Sequence, residues 1–180
     1  ARRQSGRGPA DSWEDRSLND RCMARGVPTS MLPGAYNNSY QILQAPHYVA
    51  IRYERMHETR IIPLDGAPQL GQAIRQYTGD PRGHWEGNTL VVETTNFRDD
   101  TAYRGANPKT LRIVERFTPV AADKIDWVVT VDDSSTWTRP WTFSVPLTQD
   151  DNQRIFEYAC HEGNYSMFNI LSGARAEEKK

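Results

Sequence analysis

The chain of 180 residues contains no apolar run near the ~20 residues that a membrane-spanning helix requires. Only two cysteines occur, Cys22 and Cys160, and they lack the close spacing of a zinc ligand pair. Four histidines, His47, His57, His84 and His161, form neither an HxH nor an HExxH pattern. A GxSxG elbow, a Walker loop and a GxGxxG turn are all missing, which argues against common hydrolase and nucleotide-binding classes. These absences lead us to expect no metal and no cofactor. Charge of one sign is also lacking: 22 Lys and Arg against 23 Asp and Glu leave a net charge of -1. That balance disfavours a general binder of nucleic acid or anionic membrane. No internal repeat is evident. Hydrophobic residues make up only 37%, but five Trp and eight Tyr offset this, because each aromatic buries a large area.

The length suits one domain with a real core. Residues 1–10, with Arg2, Arg3, Arg7, Gly and Ser, read as a flexible leader, 11–175 as the domain, and 176–180 as a charged tail. The chain begins at Ala1 rather than Met, which fits removal of an upstream segment. A helix is predicted from Asp11, with Glu14 completing a capping-box pattern and Gly26 and Pro28 stopping it. Residues 27–39 are irregular. Extended segments follow at 41–44, 48–56 and 59–64, then a short helix near 68–78. Arg82–Glu86, the Gly87-Asn88 turn and Thr89–Phe97 form the clearest hairpin. Further strands are expected at 110–119, 124–132, 136–147 and 153–160, with a closing helix carrying Met167, Phe168, Ile170 and Leu171. Eight or nine short strands with antiparallel joints predict a mainly β fold, an antiparallel barrel plugged by a helix.

Alternation exposes two misplaced charges. Trp137, Arg139, Trp141, Phe143 and Val145 share one strand face, and so do Leu111, Ile113, Glu115 and Phe117. Buried charge is costly unless paired. Glu115 and Arg139 are therefore either a structural ion pair or the polar floor of a ligand cavity, with Trp137 and Trp141 as its aromatic wall. Pro140 suits an edge or a bulge and would re-aim Arg139. A second cluster, Glu54 to Arg60, offers His57 as acid or base with Glu54 and Arg60 as partners. His161 and Glu162 leave the last expected strand beside Gly163, where loops often carry binding groups. Cys22 and Cys160 are either a disulfide, which would imply an oxidising compartment, or two separate thiols.

Four segments carry a family resemblance: Gly8–Arg16, Arg60–Gly66, Gly79–Phe97 and Thr136–Trp141. They resemble an uncharacterised group of exported bacterial hypothetical proteins over about Gly8 to Glu178. The resemblance implies export, to the periplasm or beyond the cell, and no catalytic assignment. Gly83-His84-Trp85-Glu86-Gly87 is also similar to the Gly-x-Trp openings of lipocalin-like barrels. The leading expectation is an exported, lipocalin-like barrel binding a small hydrophobic or aromatic molecule. One alternative is an isomerase, lyase or hydrolase using His57, Glu54 and Arg60 at the barrel mouth. Another is a structural subunit assembling into homo-oligomers through residues 1–39.

Overall fold

The computed structural model describes residues 10–101 and 103–179, so all of the 1–10 leader except Ala10 lies outside the described residues. Eight strands and one helix follow in order: β1 (Tyr40–Ala45), β2 (Tyr48–Tyr53), β3 (Thr59–Pro63), β4 (Asp80–Glu86), β5 (Thr89–Thr95), β6 (Arg112–Ala121), β7 (Lys124–Asp132), β8 (Trp141–Thr148) and α1 (Ser166–Glu177). All ladders are antiparallel between neighbours in sequence. They make two sheets, β1-β2-β3 and β4-β5-β6-β7-β8. The fold is mainly β, but no closed barrel forms among the described residues. The expected closing strand at 153–160 pairs with nothing and remains irregular.

The period-2 pattern decides which faces meet. Ile113, Glu115 and Phe117 of β6 and Trp127, Val129 and Val131 of β7 point inward and are buried. Val49, Ile51 and Tyr53 of β2 and Ile62 of β3 join them in one apolar cluster that spans both sheets. Gly83 makes this approach possible. A Cβ there would lie 2.8 Å from both Ile62 Cγ2 and Leu64 Cδ2. The hairpin turn also needs glycine, because Gly87 has φ +62°.

Three local expectations fail for local reasons. The predicted helix from Asp11 is only a 3-10 turn, Trp13–Asp15. Its capping box is one residue later than expected: Ser12 caps Glu14 N–H, and Asp15 accepts from Ser12 N–H. The predicted helix near 68–78 is an extended loop. Leu70 N–H donates to Asp80 at 2.6 Å, and Asn96 Nδ2 donates to Leu70 O at 2.7 Å. Asn96 thus takes the Leu70 carbonyl that a helix would have paired internally, and Asp80 takes the Leu70 N–H that the first turn of a helix would have left open. The strand expected at 136–147 begins only at Trp141. Asp133 accepts from Asn107 N–H, Thr110, Ser135 and Thr136, which fixes a turn ahead of Pro140. These donors outweigh burial and hold the Asp133 carboxyl well below the usual range.

The 27–39 arm packs on its own chain. Val27 and Met31 belong to the main core. After Leu147 the character changes: no described residue from 148 to 179 is buried. This C-terminal arm is joined to the N-terminal segment by a disulfide between Cys22 and Cys160. The closing helix α1 forms as expected, but it lies on the surface with Phe168 largely exposed.

Candidate functional site

Glu115 is fully buried, as its strand face predicts, but Arg139 is not its partner. Arg60 Nη2 of β3 reaches Glu115 Oε2 at 2.5 Å, and Trp127 Nε1 donates to Glu115 Oε1 at 3.2 Å. Arg60 also donates to Thr94 Oγ1 at 2.5 Å. Burial alone would lower the Arg60 guanidinium; Glu115 and Tyr53 outweigh it and hold it above its ordinary value. Burial pushes the Tyr53 phenol well up. This is a sealed ion pair inside the core. The expected pairing of Glu115 with Arg139 is thereby corrected: Arg139 sits in the exposed bend before Pro140, where the chain is not yet extended.

Trp137 and Trp141 do meet. Their rings stand edge to face at 5.7 Å, and Trp141 continues to Phe143 at 5.8 Å and Tyr103 at 6.0 Å. Both indoles are half-buried. Trp141 Nε1 is buried with no acceptor among the described residues.

The proposed group of His57, Glu54 and Arg60 does not converge. Arg60 points into the core. Glu54 is buried and accepts from Asn37 Nδ2. His57 is exposed, and its Nε2 accepts the backbone N–H of Tyr158 at 3.1 Å. Backbone geometry separates the three: the 3-10 turn Arg55–His57 has Met56 and His57 at φ +66° and +50°, which breaks strand alternation. His161 and Glu162 are exposed in the arm.

An open cleft of about 430 Å3 lies elsewhere. The N-terminal segment contributes Arg16, Leu18 and Arg25, the turn after β2 contributes Arg55, and the 100–104 loop contributes Asp100 and Arg104. Its carboxylates are already engaged: Asp20 with Arg16 at 3.3 Å, and Asp100 with Arg98 at 3.2 Å. Arg104 Nε donates to Tyr103 Oη at 3.0 Å. Arg25 and Arg55 converge instead on Gly34. A Cβ built there would lie 3.3 Å from Asn38 Oδ1, which accepts the Gly34 N–H, 3.5 Å from Arg55 Nη1 and 3.8 Å from Arg25 Nη1.

Among the described residues neither guanidinium forms an ion pair with a carboxylate. Arg55 stacks on Tyr36 at 4.6 Å, and Tyr36 stacks on Tyr158 at 6.3 Å with hydroxyls 3.5 Å apart. Burial, then the neighbouring Arg55, lowers the Arg25 guanidinium below its ordinary value. Burial, then the Tyr36 hydroxyl, raises Tyr158, while Arg55 opposes the rise. Two like charges within ~8 Å at an effective dielectric of ~20 repel by about 2 kcal/mol, less where solvent screens them. A bound anion reverses that sign and accepts charge-assisted hydrogen bonds from both arginines.

Arg25 carried one signal in the sequence: no acidic residue lies within four positions of it. Arg55 sits inside the 54–60 cluster, next to the residues first singled out. Among the described residues, no group of three or more His, Cys, Asp and Glu side chains could hold a metal ion. No described helix is long and apolar enough to cross a membrane. Compared with family models, curated proteins and solved structures, the chain matches none of them.

Proposed function

We propose that this chain is an exported binding protein for a small anionic molecule, held between Arg25 and Arg55. The observation that carries this reading is the convergence of two half-buried guanidiniums on Gly34 without a carboxylate. A structural role for such a pair would normally supply its own counter-charge, since uncompensated like charges oppose folding. Arginine's planar fork suits a carboxylate, sulfate or phosphate. The disulfide supports export, because such bonds persist in oxidising compartments.

Tyr103 lines the same cleft and packs against Trp141 at 6.0 Å, which favours an apolar or aromatic part in the ligand that the Trp141 fluorescence would sense. One titration series tests both points. Calorimetry with phosphate, acetate and benzoate should show binding that weakens at least tenfold in Arg25→Gln and in Arg55→Gln. Benzoate should bind more tightly than acetate and change tryptophan fluorescence. Equal affinities in wild type and both variants would remove the anion site.

A further inference from the structure

The arm that follows Leu147 reaches this site through Tyr158, which stacks on the Tyr36 ring that carries Arg55, but it is itself weakly held. From 149 to 165 it forms no helix or strand. It contains no buried residue, and Phe156 is 63% exposed. Between its start and α1, the non-covalent contacts that dock it are few. Gln149 N–H donates to Asp123 O at 2.8 Å, Tyr158 N–H donates to His57 Nε2 at 3.1 Å, the Tyr158 ring lies on Tyr36, and Asn164 Nδ2 donates to Cys22 Sγ at 3.4 Å; beyond this stretch Arg175 of α1 donates to Asp11 O at 3.0 Å and Ala10 O at 3.2 Å. The covalent tie is Cys22–Cys160, two residues beyond Tyr158 and three before Arg25.

That bond is reachable. Cys22 lines an open cleft of about 340 Å3 with Trp13, Met23, His161 and Met167, so a thiolate can approach its sulfur from solvent.

We propose that the anion site is composite and redox-gated: Arg25 and Arg55 come from the body, Tyr158 is delivered by the C-terminal arm, and the Cys22–Cys160 disulfide keeps it there. This rests on the anion reading given above. Tyr158 acts as a positioning residue, backing Tyr36, on which the Arg55 guanidinium lies. With the tether intact, Tyr158 is held near Tyr36 at high effective concentration. A dithiol such as dithiothreitol opens it in a balanced exchange. The dithiol gives two electrons and two protons, the S–S bond breaks, Cys22 and Cys160 become thiols, and the dithiol closes to its own cyclic disulfide. The segment carrying Tyr158 then swings away while Arg175 keeps α1 on Asp11, and the stack that orders Arg55 is lost.

The test titrates benzoate and phosphate into the full chain, oxidised and after reduction, and into Cys22→Ser with Cys160→Ser. Limited proteolysis beyond Leu147 runs in parallel. The oxidised chain should bind, and reduction and the double serine variant should each weaken binding about fivefold or more while the arm becomes readily cleaved. Tyr158→Phe should retain most of the affinity through its ring, and Tyr158→Ala should behave like the reduced chain. Unchanged affinity on reduction overturns the gate and leaves the anion site standing. An arm that resists cleavage after reduction overturns the gate whatever the binding shows. Failure of the oxidised chain to bind either anion overturns the underlying site.

Discussion

Replacing Glu115 with leucine should be among the most damaging single changes in this protein. The variant removes the one carboxylate that Arg60 Nη2 meets at 2.5 Å, in a place where both side chains have no exposed surface. Arg60 would keep its charge with only the Thr94 and Tyr53 hydroxyls beside it, and Trp127 Nε1 would lose its acceptor. Breaking a buried pair from one side costs about 3–5 kcal/mol, because it strands the other charge. Against a total stability of roughly 5–15 kcal/mol, that is about a fifth or more. For a chain of this size it lowers the melting temperature by about 6–20 °C. Urea unfolding followed by tryptophan fluorescence and far-ultraviolet circular dichroism measures it. The double variant Glu115→Leu with Arg60→Met should recover all but about 1–2 kcal/mol, since no charge then remains buried. A single variant that costs under about 1 kcal/mol refutes the reasoning. So does a double variant that loses the sum of the two singles.

Two further effects follow from the same geometry. Gly83→Ala should cost about 1–3 kcal/mol in the same urea assay, because the new Cβ would lie 2.8 Å from Ile62 Cγ2 and Leu64 Cδ2; a neutral result would mean that the two sheets part freely there. Glu58 carries a pH effect. Burial raises its carboxyl above the ordinary value of 4.5, despite hydrogen bonds from Ser30 and the Arg25 backbone. A raised folded value means the native state holds the proton longer, so this contribution is complete below the ordinary value and is lost as pH rises through the folded one. Glu58→Gln should therefore gain on wild type between pH 4 and pH 7 in melting experiments, and a constant difference across that range would contradict the assignment.

Much of the sheet was legible because alternation is a local property. The Gly87-Asn88 hairpin, the inward faces of β6 and β7, and the burial of Glu115 and Trp127 all follow from neighbours two residues apart. The partner of Glu115 was not legible. Arg60 and Arg139 both sit among apolar residues, and only the packing of one sheet on the other decides between them. Pro140 hinted at the answer by interrupting the strand that would have turned Arg139 inward. Barrel closure was overestimated for a related reason. The 153–160 segment has strand-like composition, yet no open edge takes it up, and strand propensity expresses a fit to neighbours rather than a backbone preference.

The proposed anion site was hidden more deeply. Arg25 and Arg55 are thirty residues apart and meet only because the N-terminal segment folds back over the turn after β2. His57, Glu54 and Arg60 looked like a group in sequence, but strained backbone at Met56 and His57 sends them to different surroundings.

The most direct test of the central claim is an anomalous diffraction map of crystals grown with selenate. A selenium peak above Gly34, placed so that selenate oxygens lie within hydrogen-bond reach of both Arg25 Nη1 and Arg55 Nη1, is the predicted result. Selenate bound only elsewhere, or the space above Gly34 filled by a carboxylate of the chain itself, would contradict it.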